Sequence, residues 1–282
     1  MKYVNSKGKK FIGNIFSNEE NCLPYILVIP ENLEDNKELI MESLNFEGTN
    51  IIEKIMQMYG AKVTLISKEE GGFTKAVKEA KEYAKNNNAF LSNQFENEDN
   101  ILAHYETTGK EIVSELGEDI DAFVSGIGTG GTLIGAGKKI KEVNKNAKIY
   151  ALEPHKMALI SQNKIIGEHK IEGIGDEFVP KIIENNRNLI DDIILINDED
   201  AINMSKKLAK ELGLGVGISS GANLIASILL KGDKKKIVTV FADDNKKYLS
   251  TDLAKDLRKD EWMISNKVEL IGWEYMQKLN FM

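Results

Sequence analysis

Residues 121–137 read DAFVSGIGTGGTLIGAG: a short apolar run, a burst of glycine and threonine, then residues that favour a helix. A strand that turns through glycines into a helix leaves the first helical N–H groups without backbone partners, and such groups suit an anion. The segment also constrains the fold around it, because strand-like and helix-like runs alternate on both sides. YILVIP (25–30), KVTLIS (62–67), KIYALEP (148–154), IILIN (193–197) and KIVTVF (236–241) read as strands alongside DAFVSG (121–126). The spacing of apolar residues predicts a helix over 51–59, closed by Gly60, and further helices over 73–87, 98–116, 130–143 and 199–211. Strands alternating with helices of this length imply an α/β fold whose parallel sheet is covered on both faces.

Composition narrows the setting. The 282 residues, 42% of them hydrophobic, allow a full core in one or two domains. A net charge of -7 argues against a nucleic-acid surface, which shows clustered Lys and Arg. No apolar run reaches membrane-spanning length and no signal-peptide pattern stands at Met1. Cys22, the single cysteine, cannot form an internal disulfide, which fits a reducing cytoplasm. The expectation is a cytoplasmic protein without nucleic-acid or membrane partners. His104, His155 and His169 lack metal-ligand spacing, so no metal site is expected. Trp262 and Trp273 are expected to dock the charged tail on the body or on a second subunit.

The glycine loop has two chemical readings. GIGTGG (126–131) matches G-x-G-x-x-G, and the next strand ends in Glu153, where a dinucleotide fold places the acid for a ribose hydroxyl. That reading gives a nicotinamide-dependent dehydrogenase. Thr129 and Thr132 favour the other, because hydroxyls together with amides at a helix N-terminus suit a terminal monophosphate dianion.

QFEN (94–97), HYETTGKEI (104–112), VSGIGTGGTLIGAG (124–137), YALEP (150–154), HKIEGIGDEFVP (169–180), GVGISSGAN (215–223) and FADDNKKYLST (241–251) follow one another in that order. Together they resemble cysteine synthase (O-acetylserine sulfhydrylase) and its cystathionine β-synthase-like relatives among the fold type II pyridoxal-phosphate enzymes, over about residues 25–257. The resemblance implies two parallel-sheet α/β domains, the N-terminal one truncated. It divides the chain into an atypical segment 1–24, a reduced N-terminal domain 25–94, a C-terminal domain 95–257 with the phosphate loop, and a tail 258–282.

By this resemblance pyridoxal phosphate is the cofactor, and Gly128, Thr129, Gly130, Gly131 and Thr132 wrap its phosphate. Ser219 of GISSG matches the serine that faces the pyridine nitrogen, and Ser220 is an alternative helix N-cap. Gln94 matches a contact to the substrate carboxylate, and Gly173, Ile174 and Gly175 match the turn that lines the substrate pocket. Asp176 departs from the small residue usual after that turn, and reads as a general base for water, as a group that shapes the pocket for a charged amino acid, or as an exposed loop aspartate. His104 and His169 sit inside family motifs, where a structural role is expected.

The implied activity is β-replacement or β-elimination: O-acetylserine and sulfide to cysteine, or cysteine breakdown with release of sulfide. The family's lysine motif, resembling S-V-K-D-R, and the following T-S-G-N-T-G are not found, and Lys7 and Lys10 lack that context. The chain alone is therefore expected to have little activity, and a non-catalytic binding protein is the alternative. The implied partners are a small amino acid substrate, a second copy of the chain, and the C-terminal peptide of serine acetyltransferase.

Overall fold

The computed structural model describes residues 57–67, 70–232, 236–248, 251–256 and 258–272, and the backbone of four short strands that precede them. Cys22, Lys7, Trp273 and most of the helix expected over 51–59 lie outside the described residues. The chain divides into two units, Met1–Asp99 and Asn100–Met282.

In the first unit, β1 (Lys2–Val4) and β2 (Lys10–Ile12) form an antiparallel hairpin. A second sheet has the order β5-β4-β3-β6, from β3 (Ile26–Pro30), β4 (Ile40–Leu44), β5 (Lys62–Ile66) and β6 (Ala89–Leu91). Strands β4 and β5 run parallel, but β3 is antiparallel to both its neighbours, so this sheet is mixed rather than all-parallel. The connection over 31–39 accounts for the difference. It is shorter than the dozen or more residues that a parallel crossover needs. Helix α1 (Gly72–Asn86) buries Ala76, Ala80 and Ala84, spaced four apart on one face, and packs Ala80 and Ala84 against Ala89 and Leu91.

The second unit is built on β7 (Ala122–Gly126), β8 (Lys148–Pro154), β11 (Asp192–Ile196) and β12 (Ile237–Thr239), all parallel, in the order β11-β8-β7-β12. Strand β7 shows why the sheet is covered on both faces. Phe123 packs into a cluster with Ile134, Ile140 and Ile183, while Val124 packs into another with Ala201, Met204 and Ala222. Successive side chains point to opposite faces, so a fully buried strand reads as a continuous apolar run.

The expected helix over 98–116 is present as α2 (Glu98–His104), a π-helical turn (Tyr105–Gly109) and α3 (Lys110–Leu116). Helix α4 (Gly131–Val143) follows β7. A small hairpin of β9 (Met157–Ala158) and β10 (Lys164–Ile165) encloses α5 (Leu159–Gln162), and α6 (Lys181–Asn185) precedes β11. Helices α7 (Asp198–Leu212) and α8 (Ile218–Leu229) lie between β11 and β12. The C-terminal segment includes α9 (Ile264–Lys267). No helix among the described residues is long and apolar enough to cross a membrane.

Sheet order places the glycine loop. From β7 the chain moves outward through β8 to β11, then crosses to the other side of β7 for β12. The carboxyl end of β7 is therefore a topological switch point, where open α/β sheets leave a crevice for ligands. One side chain ties this point together: Asn223 of α8 accepts from Gly126 N at 2.9 Å and donates to Val240 O at 2.8 Å. The second of these bonds explains why β12 ends at Thr239, short of the run expected to 241.

The tail is anchored, though not by Trp262, which is 49% exposed. Met263 beside it is 0% exposed. The buried Asp200 accepts from Ile264 N at 2.8 Å and Ser265 N at 2.9 Å. Asn203 exchanges hydrogen bonds with both the N–H and the carbonyl of Arg258.

Replacing Asn223→Ala leaves a buried donor on Gly126 and an acceptor on Val240 unsatisfied. Chemical denaturation is expected to show a loss of about 2 kcal/mol, with an unchanged dependence on denaturant concentration.

Candidate functional site

The loop after β7 holds its shape because side chains are missing from it. A Cβ at Gly126 would sit 2.6 Å from Ile174 Cγ2, and one at Gly128 would sit 2.6 Å from the carbonyl oxygen of Gly173. A Cβ at Gly130 would meet Ile183 at 2.5 Å, and one at Gly131 would meet Asn100 Oδ1 at 2.0 Å. Gly130 also has φ 90°, a left-handed conformation that glycine adopts without a steric penalty. The backbone is thus drawn tight from β7 into the first turn of α4, where N–H groups emerge with no intrahelical acceptor.

Both threonine hydroxyls are oriented. Thr129 Oγ1 accepts from Asn100 Nδ2 at 2.9 Å and from Gly131 N at 3.2 Å. A hydroxyl has two acceptor sites and one proton, so with both acceptor sites filled the Thr129 O–H is left to donate. Thr132 Oγ1 lies 3.1 Å from His104 Nε2, whose Nδ1 lies 3.0 Å from Thr108 Oγ1. Burial holds the His104 imidazole below the usual histidine range, so it is neutral and carries one proton. In the tautomer that carries the proton on Nε2, His104 donates to Thr132 and leaves the Thr132 O–H free to donate. His104, expected to be merely structural, is thus wired to the loop.

The turn of Gly173, Ile174 and Gly175 adjoins this loop directly. Gly175 N donates to Ile127 O at 2.9 Å, and His169 Nε2 donates to Gly175 O at 2.8 Å. Asp176 follows that pinned residue and is half-buried; its carboxyl is pushed up from the ordinary 3.8 to about 7, by burial first and by the neighbouring Glu177 second.

Ser219 is 7% exposed in the first turn of α8 and has no protein partner for its hydroxyl among the described residues. It stands four residues before Asn223, hence on the same face of α8 as the side chain that grips Gly126. The N-cap of α8 is Gly217, with no side-chain cap bond, so Ser220 does not fill that role. Gly217 N donates to Asp243 O at 3.1 Å, and the buried Tyr248 hydroxyl bonds the Asp243 carboxylate.

The second unit therefore brings together Gly128 to Thr132, Gly173 to Asp176 and the Ser219 turn. Gln94 belongs to the first unit, half-buried in the turn that follows β6. Asn100, Asn223 and Asp243 were not expected. Asn223 alone had a signal, being four residues beyond Ser219 within a run that reads as helix.

These residues fit a phosphate. The loop supplies helical N–H groups without intrahelical acceptors, the outward Thr129 proton, the Thr132 hydroxyl and glycines that leave no room for a side chain. They fit a dinucleotide less well. Both oxygens of Glu153, the acid meant for a ribose, already accept from Ile160 N at 2.7 Å and Ser161 N at 3.0 Å, capping α5.

Comparison with known proteins gives the same answer. Residues 25–243 match the family model described as pyridoxal-phosphate dependent enzyme. The chain is 39% identical over 234 residues to cysteine synthase B of Campylobacter jejuni, covering 82% of this chain and 72% of that protein. It is 39% identical over 216 residues to a cysteine synthase of Staphylococcus aureus, covering 75% and 67% respectively. The crystal structure of a hydrogen sulfide-producing enzyme from Fusobacterium nucleatum superposes with a TM-score of 0.75 at 45% identity, covering 80% of this chain and 69% of that one.

Thr129→Val removes the outward proton and keeps the shape. Titration with pyridoxal phosphate, followed by absorbance, is expected to show affinity falling about tenfold or more, alongside a stability loss of about 1–2 kcal/mol because the Asn100 amide and the Gly131 N–H lose their acceptor. Unchanged affinity would exclude the hydroxyl from phosphate binding.

Proposed function

Since this chain belongs to the pyridoxal-phosphate dependent enzyme family, we propose that its second unit is built for β-replacement or β-elimination on cysteine-like amino acids, with sulfide release favoured over cysteine synthesis. When bound, the cofactor supplies an electron sink that labilises the substrate's α-proton and β-substituent. The chain's own residues do the rest. Gly128 to Thr132 hold the phosphate through N–H and O–H donors, and Ser219 presents a neutral hydroxyl to the ring nitrogen, leaving it largely unprotonated. Gly173 to Gly175 wall the substrate pocket.

The observation that carries the preference is Asp176. A half-buried carboxyl poised near neutrality beside the pocket turn can take a proton from water as its oxygen attacks the β-carbon, turning cysteine and water into serine and sulfide. Sulfide production by the F. nucleatum relative supports the same choice. Synthesis of cysteine from O-acetylserine and sulfide is the second reading, supported by the cysteine synthases at 39% identity. A homodimer that docks an acyltransferase C-terminal peptide accords with that second reading.

No lysine in the 282 residues stands in the S-V-K-D-R-like context, so turnover by this polypeptide alone is proposed to be weak. The test is incubation with pyridoxal phosphate, borohydride reduction and peptide mapping, alongside sulfide and cysteine assays. Reversible binding without a single-lysine adduct is expected. A stoichiometric adduct on one lysine would overturn the weak-turnover part, and no binding at all would sink the reading.

Asp176 makes a separate prediction. A carboxyl titrating near 7 in the folded chain and near 3.8 unfolded holds a proton in the folded state alone between those values. Stability is therefore expected to fall as pH rises through that window and then to level off, while any sulfide release rises with pH through about 7. Asp176→Asn should flatten the stability profile over that window and suppress sulfide release.

A further inference from the structure

Away from the phosphate loop, the second unit has a cleft of about 500 Å³ lined by Lys206, Lys210, Leu253, Lys255, Asp256 and Lys259. Lys206 and Lys210 stand four apart on one face of α7, and the opposite wall is the segment that begins with the 3₁₀ turn Asp252–Ala254. Four lysines and one aspartate thus line the cleft in a chain whose net charge is -7, and one of the four, Lys255, is paired with Asp252.

The surrounding ion pairs make this concentration informative. Lys170 and Lys255 both pair with Asp252, and Lys207 lies 3.9 Å from Glu211, so acids are at hand around the cleft. Yet Lys206, Lys210 and Lys259 have no carboxylate within ion-pair distance among the described residues. Lys206 is half-buried, and its Nζ donates only to the Asp256 carbonyl, at 3.2 Å. Desolvation holds its pKa below the usual lysine range; Asp252 and Asp256 oppose that shift, and Lys255 adds to it. Lys210, Lys255 and Lys259 are exposed around it, and an anion placed among the four offsets their mutual repulsion and the partial desolvation of Lys206. Leu253, buried at the cleft wall, and the lysine stems give such a ligand an apolar surface.

We propose that this cleft binds a phosphorylated small molecule of nucleotide size, at a site separate from the loop that follows β7. Ammonium groups act as point charges toward phosphate. The volume lies within the range of small-molecule sites and exceeds what a lone inorganic phosphate fills. The proposal does not rest on the β-replacement reading.

Isothermal titration of the full chain at constant ionic strength tests it, with ATP and inorganic tripolyphosphate as probes and adenosine as the uncharged comparison. Both anions are expected to bind, and adenosine is not. The K206E/K210E double variant should weaken both anions at least tenfold with an unchanged thermal melt. K78E/K85E on the exposed face of α1 should leave them unaffected. Failure of both anions to bind the wild-type chain, equal affinity for adenosine, full binding by K206E/K210E, or an equal loss in K78E/K85E would each overturn the proposal. If K206E/K210E fails to fold, the single variants K206M and K259M carry the same expectation at reduced size.

Discussion

Everything at the carboxyl end of β7 depends on how closely three pieces of backbone approach one another. The loop from Gly126 to Gly131 lies against Gly173 and Ile174 on one side and against Asn100 and Ile183 on others, at separations that leave no room for a methyl group. This closeness lets Gly175 N reach Ile127 O and turns the first amides of α4 toward open space. It also brings a half-buried carboxyl, Asp176, to the edge of the same loop. A single added carbon there would push the pocket turn away from the cradle. The glycines therefore set the distance between the loop that follows β7 and the turn of Gly173 to Gly175.

Hydrogen bonds then give that close packing a direction. Asn100 and Gly131 fill the acceptor sites of Thr129, and His104 holds the Thr132 hydroxyl through one hydrogen bond. A neutral imidazole is suited to this, because it offers one donor and one acceptor and adds no positive charge to be desolvated. The π-helical turn that follows His104 places Thr108 against its other ring nitrogen. Asn223 does for the strand end what Asn100 does for the loop, clamping Gly126 from the helix that carries Ser219. The candidate site is thus two shells deep, and its outer shell is almost wholly amide and hydroxyl.

Much of this was legible in the sequence, and the parts that were not share a cause. Periodicity located β7, β8, α1, α4 and α7, because each buries apolar residues at a regular spacing. The glycine–threonine run announced a tight turn from strand into helix, because steric demand leaves few residue types able to serve there. The antiparallel β3 was missed because direction depends on connection length and not on the strand's own residues. Glu153 looked like a ribose ligand because its spacing was right, while its true partners, the amides of Ile160 and Ser161, carry no side-chain signature at all. Met263 is buried where Trp262 was expected to dock, since hydrophobicity alone does not say which of two adjacent side chains turns inward. The lysine cleft joins positions about fifty residues apart, a pairing that no local pattern encodes.

The order of strands across the sheet also bears on how the site comes into being. The cradle opens between β7 and β12, and its anchoring contacts span long stretches of chain. Gly126 reaches Asn223 across 97 residues, and Val124 meets Thr239 across 115. Contacts of such sequence separation form late, because their loop-closure entropy must be met before they reward the chain. A polypeptide emerging from the ribosome would carry its glycine loop long before it had a cradle. Only once α8 and β12 had been made could the loop be drawn into its final shape. A phosphate ligand would then select the finished unit, and its binding would stabilise completed molecules over every partly folded one.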